Sequence, residues 1–236
     1  MKNIAYRIKR QIQKIILLRG EANQLMIANQ DPNINFPDLV KSLKSFSSFA
    51  PSQKDSEIFY LFNLVKEKKF KNICEIGSYK GGTFFLLCQA ASDDATLVSI
   101  DIKYPIERKL AHKLFGKSGQ KIYCIKGDTK DHSTYRKLES ALKGKSLDLL
   151  FIDGDHSLFG VMNDFIRYSP FVRKGGVIAI HDIQPDKFLT IGLRSSSYVG
   201  GVPTFWNALK KEGYKANEII ESKDQDGFGL GIIEVT

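Results

Sequence analysis

Apolar positions recur with helical spacing at the start of the chain. Ile4, Ile8, Ile12, Ile15 and Ile16 fall on one face of a helix predicted over residues 2–19. Lys2, Arg7, Lys9, Arg10 and Lys14 take most of the remaining surface. Residues 20–52 lose this period. They carry Pro32, Pro37, Pro51 and a serine-rich run over 42–52, and read as an irregular linker or a segment covering a site. From residue 53 the period alternates. After a helix at 56–66, strands are predicted at 72–77, 96–102, 121–126, 147–152 and 176–180. Helices at 82–91, 108–114, 133–142 and 159–168 separate them. The run at 147–152 is almost wholly apolar, as a strand buried on both sides requires. This alternation predicts an α/β fold, a doubly wound, mostly parallel sheet with helices on both faces. A helix at 203–211 precedes strand-like runs at 214–221 and 227–235. Their connection is of hairpin length, so the last strand is expected to be antiparallel. The chain thus divides into an N-terminal helical extension and linker, residues 1–52, and one α/β domain, residues 53–236.

Charge changes the picture only locally. The net charge is +9, but six basic and no acidic residues fall in the first twenty positions. A basic amphipathic helix can lie on a membrane surface. The favoured expectation is packing on the core or on a second subunit, where the helix would cover the partner's active site in a homo-oligomer. No stretch of about 18 apolar residues without charge occurs, which excludes a spanning helix. The apolar run at 15–18 is too short for a signal-peptide core, so a cytoplasmic location is expected. Cys74, Cys88 and Cys124 fit no zinc spacing, and their odd number disfavours a disulfide framework, so buried thiols are expected.

Candidate chemistry begins where the first strand meets its helix, at Glu75-Ile76-Gly77-Ser78-Tyr79-Lys80-Gly81-Gly82. In doubly wound sheets a ligand sits beyond the carboxyl ends of the strands, where strand order reverses. Gly77 permits a tight turn, and Gly81 lets the helix start against the ligand. Asp101 ends the second strand, 24 residues after Gly77, where an acid can accept from both hydroxyls of a ribose. Gly127-Asp128 ends the third strand, placed to bound an adenine. The dinucleotide fingerprint Gly-x-Gly-x-x-Gly is absent, because Tyr79 stands where the second glycine belongs. That argues against a pyrophosphate cofactor such as NAD. S-adenosylmethionine has no phosphate and meets no such objection.

A second cluster follows. The fourth strand runs into Asp153-Gly154-Asp155-His156-Ser157, and the fifth ends in His181-Asp182. Adjacent parallel strands would bring these turns together. Carboxylates with waters suit Mg²⁺, which lowers the pKa of a coordinated hydroxyl. A neutral histidine nearby can then take the proton. Strand-end acids also cap helices, and Asp155 or Ser157 could do only that.

The Glu-Ile-Gly-Ser start, the acid after strand two and the Gly-Asp after strand three together resemble class I S-adenosylmethionine-dependent methyltransferases. The resemblance runs from about residue 70 to the C-terminus. It implies that Glu75, Gly77, Ser78 and Gly81 hold the methionine part, Asp101 the ribose and Asp128 the adenine side, with Asp153 beside the cofactor. The wording Phe-Ile-Asp-Gly-Asp-His-Ser, Gly-Gly-Val-Ile-Ala-Ile-His-Asp-Ile and Gly-Gly-Val-Pro-Thr-Phe-Trp resembles a narrower group, the cephalosporin hydroxylase and macrolide-sugar O-methyltransferases. That likeness implies O-methylation of a sugar, natural-product or glycan hydroxyl. It makes Asp153, His181 and Asp182 metal ligands, and Asp153 and His156 the catalytic pair. There are two departures. His181 stands where an acid occurs, and Leu158-Phe159 where Tyr-Glu is usual.

Other readings fit less well. A methyltransferase-like domain that has lost catalysis and only binds the cofactor conflicts with intact Gly77, Asp101 and Asp153. A nucleic-acid methyltransferase would carry an Asn/Asp-Pro-Pro-aromatic motif after strand four, so no nucleic-acid partner is expected. Residues 198–203 fit a lid or substrate loop, and Arg194 and Ser195 to Ser197 could meet substrate. Trp206 reads as core.

Overall fold

A computed structural model describes residues 2–28, 34–195 and 197–236 of the chain, and side chains from Ile4 onward. Three helices come first: α1 (Lys2–Ala28), α2 (Phe36–Ser45) and α3 (Asp55–Glu67). Strands and helices then alternate as β1 (Asn72–Ile76), α4 (Gly82–Ala90), β2 (Thr96–Asp101), α5 (Ile106–His112), β3 (Lys121–Lys126), α6 (His132–Leu142), β4 (Leu147–Ile152), α7 (Leu158–Tyr168) and β5 (Val172–His181). The chain ends with α8 (Lys187–Ile191), α9 (Val202–Lys211), β6 (Ala216–Ile219) and β7 (Leu230–Glu234).

The seven strands lie in the order β3-β2-β1-β4-β5-β7-β6. Strands β1 to β5 are parallel, and β7 runs antiparallel between β5 and β6. Strand order reverses between β1 and β4. Loops leaving those two strands therefore diverge to opposite sides and open a crevice at the carboxyl edge. Ile76 pairs with both Ile100 and Ile152, so Gly77, Asp101 and Asp153 emerge at nearly the same height.

Side chains alternate across the sheet, and each face has its own core. Ile73, Leu97, Leu149, Phe151 and Ala179 point toward α1 to α5, among Phe84, Phe85 and Leu61. Cys74, Ile76, Val98, Leu150, Ile152 and Ile178 point the other way, among Leu138, Phe165 and Trp206 of α6, α7 and α9. Trp206 is buried, as expected of core, and its Nε1–H donates to Glu218 at 2.6 Å. Cys74 and Cys88 are buried free thiols, and Cys124 is half-buried.

The linker expected over 20–52 is largely helical instead. α1 continues to Ala28, because Ala22 and Leu25 are buried against the core. Asn35 caps α2 by accepting from the Asp38 N–H at 2.9 Å, and Pro37 sits in the first turn, where its missing N–H costs nothing. Leu39, Val40 and Leu43 then face inward. Pro32 lies outside the described residues. α8 was also not foreseen. It is capped by Asp186, whose carboxylate accepts from the Leu189 N–H.

Two contacts fix where α1 lies along the domain. Met26 Sδ meets Gln89 at the far end of α4, which places it toward the amino edge of the sheet. Gln11 reaches Glu107 in the first turn of α5, at the carboxyl edge. The first half of α1 therefore stands beyond that edge. Ile4 and Ile8 beyond the edge, and Ile12 and Ile16 alongside the domain, are 51–66% exposed, so the helix leaves this face largely uncovered.

Candidate active site

The crevice at the β1/β4 switch point is a cleft of about 630 Å³. Gly77, Tyr79, Asp101, Asp128, Asp153 and Asp164 line it, together with the apolar walls Ile76, Ile100 and Ile102. Gly77 has φ +86°, and a Cβ there would lie 1.9 Å from the Asp153 carbonyl oxygen. Only glycine lets the β1 and β4 loops approach this closely. Gly81 has φ +90°, and its missing side chain leaves room for the His112 ring. His112 is buried, accepts from Tyr104 OH at Nδ1 (2.5 Å) and donates from Nε2 to the Lys80 carbonyl (3.0 Å). Burial drops its pKa to about 4. It is a neutral strut beneath the glycine loop, and the sequence reading did not single it out.

Asp101 binds this loop from above. Its Oδ2 accepts from the Ser78 and Tyr79 N–H groups at 3.1 and 2.9 Å, and its Oδ1 from Lys103 N–H at 2.7 Å. It remains partly exposed on the cleft wall, with lone pairs left for a ligand. Asp128 lines the far end, braced by the Lys130 N–H. Glu75 lies fully buried under the loop with Ser78, beside the smaller cavity that also takes in Gln53 and Asp153. Burial pushes its carboxyl well above the usual carboxylate range, against the Ser99 hydroxyl, which donates to it at 3.5 Å. Asp164 of α7 also lines the cleft, and burial raises it to about 6.

The β4 and β5 loops meet as their strand order dictates. Ligand atoms of Asp153, His181 and Asp182 lie within 4.8 Å of one another. His181 and Asp182 are 4% and 5% exposed. Asp182 takes φ +62°, the left-handed region, which turns its carboxylate back toward Asp153 and His156. Glu57 of α3, which no motif flagged, fixes His181. Its carboxylate Oε2 accepts from His181 Nε2–H at 3.0 Å, and its Oε1 accepts from Gly229 N–H at 2.6 Å. With Nε2 so committed, Nδ1 faces the two aspartates, 3.3 Å from Asp153 and 3.5 Å from Asp182, yet neither contact is aligned as a hydrogen bond. Burial disfavours charge on His181, but Asp153 and Asp182 outweigh it and hold its pKa well above the ordinary value. The pocket asks for positive charge at Nδ1, as a proton or as a metal ion. A buried, unpartnered nitrogen flanked by two carboxylates fits a divalent cation, and the Glu57–His181 pair is the carboxylate–histidine arrangement that orients metal-bound imidazoles.

His156 completes the cluster. Its Nδ1 lies 2.6 Å from the Tyr198 carbonyl, which can only accept, so Nδ1 carries a proton. Nε2 is left facing Asp153 at 3.5 Å. Tyr198 stacks on the ring, and Gly201 N–H donates to the His156 carbonyl at 2.8 Å. Residues 198–201 thus clasp His156. Burial lowers the pKa of His156, but Asp153 and Asp182 more than reverse this and bring it to about 9. Uncompensated, the carboxylates keep the proton on the ring. Asp153 itself accepts from Gln53, whose amide oxygen accepts from Thr83 Oγ1 at 2.6 Å. Asp155 is drawn away to Lys130 (2.8 Å), and Ser157 caps α7. Arg194 is exposed, and Ser195 donates to Asp226. Ser196 lies outside the described residues.

Residues 74–183 match the family described as "Methyltransferase domain". An uncharacterized protein of Acanthamoeba polyphaga mimivirus is 34% identical over 125 residues, covering 50% of this chain. The chain spans about half the length of that relative, 54%. The O-methyltransferase from Bacillus cereus in complex with SAH superposes with a TM-score of 0.60 at 18% identity, over 86% of this chain and 93% of that one. The O-methyltransferase TomG from Streptomyces achromogenes, in complex with SAM and involved in tomaymycin synthesis, gives 0.58 at 16% identity, over 85% and 89%. Identities this low speak for the shared fold alone. Residues 74–183 thus match a methyltransferase domain, and the seven-stranded sheet shares the fold of these O-methyltransferases.

Proposed function

We propose that the protein transfers the methyl group of S-adenosylmethionine to a hydroxyl oxygen of a sugar, natural-product or glycan acceptor. The observation that carries this reading is the convergence of Asp153, His181 and Asp182 beside the Gly77 loop, with His156 in contact. Asp101 would take the ribose, Asp128 and the isoleucine walls the adenine, and the cavity by Glu75 and Ser78 the methionine end. Asp153, His181 and Asp182 would hold a divalent cation such as Mg²⁺. When bound, it supplies a Lewis acid that favours the alkoxide form of the acceptor. One nitrogen and two oxygen donors also suit Mn²⁺. Methyl transfer needs in-line approach to the sulfonium carbon, so the residues act mainly by positioning. Gln53 fixes Asp153, Glu57 fixes His181, and Tyr198 fixes His156 with Nε2 free to receive the hydroxyl proton. That role requires the Asp153 and Asp182 charges to be neutralised, since otherwise His156 is already protonated.

Titration calorimetry with S-adenosylmethionine and its demethylated product, with and without Mg²⁺ or Mn²⁺, tests the reading on wild type and Asp101→Ala. Micromolar binding that the variant loses supports it, and an acceptor screen on glycosides follows. No binding in any condition overturns it.

A further inference from the structure

We infer that the carboxyl-edge face of the domain, led by α1, docks on an anionic lipid bilayer. This inference does not depend on the acceptor or metal assigned above. The first half of α1 is an amphipathic surface whose side chains from Ile4 to Lys14 are all exposed. Ile4, Ile8, Ile12 and Ile16 are exposed on one side, and Lys9, Arg10 and Lys14 are exposed around them. From Gln11, beside Glu107, to Met26 the helix descends roughly 22 Å along the domain, so residues 2–10 reach roughly 13 Å beyond the carboxyl edge. The rim of the site points to the same side and is also apolar. Ile106, Phe159, Phe188, Ile191 and Tyr198 are 47–80% exposed, each in a loop or helix that follows a parallel strand. Exposed Lys103, Lys187 and Arg194 stand among them. Apolar groups with interspersed cations match a membrane interface, where side chains enter the headgroup region and cations meet anionic lipid.

Charge selects the occupant. A second copy of α1 laid on the isoleucine stripe would bring six cations toward six cations, because residues 2–20 contain no acid to pair with them. Like charges facing each other across an interface oppose association. An anionic bilayer accepts the same stripe and neutralises the same cations.

The test is co-sedimentation of the full chain with vesicles of phosphatidylcholine alone and of phosphatidylcholine with phosphatidylglycerol. Binding is expected only to the second, and should weaken as salt is raised. Ile8→Glu with Ile12→Glu, and separately Lys9→Ala with Arg10→Ala, should each lower partitioning at least about tenfold. All four side chains are exposed and lie outside the cleft, so S-adenosylmethionine binding should stay unchanged and certify the fold. Equal sedimentation with both vesicle types, or with neither, overturns the inference. So does a dimer by light scattering that Ile8→Glu with Ile12→Glu converts to monomer, because the stripe then belongs to a second copy.

Discussion

The two halves of the carboxyl edge are built by different means. On the β1–β2–β3 side the cleft is shaped by main chain. Positive-φ glycines, amide N–H groups on Asp101 and half-exposed carboxylates do the work, and the partners lie within about two turns of their own loops or one strand away. On the β4–β5 side the work is done by buried side chains whose partners are far off in sequence. Glu57 meets His181 across 124 positions, and Gln53 meets Asp153 across 100. A main-chain cradle tolerates changes that leave its dihedrals alone. A buried charge cluster does not, because removing one member leaves the others uncompensated in a low-dielectric site.

The largest expected effect lies in the charged half. His156→Ala should lower kcat about 10²–10⁴-fold, the usual share of a general base, while the Kd for S-adenosylmethionine stays within a few-fold. Rapid-quench turnover with calorimetry separates the two, and equal loss of both would merge the halves that are contrasted here. Gly77→Ala should do the reverse. Its φ of +86° and the close Asp153 carbonyl should weaken cofactor binding about 10–100-fold. Glu57→Gln keeps the shape but loses the charge that orients His181. Mn²⁺ affinity read by electron paramagnetic resonance should fall about 10–100-fold with cofactor affinity unchanged.

The smallest effect is electrostatic and sits under the cradle. His112 is held neutral, with its folded pKa lowered to about 4 from 6.5. The unfolded chain therefore binds the proton more readily. The stabilisation is fully present above about pH 6.5 and is lost as pH falls through 4. Between pH 7.5 and 5.5 this amounts to about 1 kcal/mol. Urea titrations of wild type and His112→Asn should show that slope in the first and its absence in the second.

The same contrast governs what could be read from the sequence. Strand order and most helices follow from apolar periodicity, and Gly77, Asp101 and Asp153 follow from their places after strands. α2 is illegible in the periodicity because Pro37 reads as a breaker, whereas it occupies a first turn capped by Asn35. Glu57 was missed because it belongs to no motif. It was not without a signal: Glu57, Leu61 and Val65 recur every four residues, which places an acid on the buried stripe of α3. Asp164 has the same mark, three residues after Val161 and one before Phe165 on the inward side of α7. An acid on an apolar stripe is worth asking about, because burying a charge costs energy that a partner must offset. What no periodicity reveals is which partner, since Gly229 and His181 reach Glu57 only through the closed sheet.

The matched methyltransferase domain spans residues 74–183 and so contains Asp153, His181 and Asp182, but not Gln53, Glu57 or Gly229 that fix them. Anyone trimming or transplanting this domain by its matched boundaries would carry the clustered side chains and leave their scaffold behind. Without α1 to α3, β6 and β7 one face and one edge of the sheet lose their cover, and the imidazole of His181 loses its brace. Loss of turnover in such a fragment would then report missing cover and an unbraced His181, not an error in the matched residues.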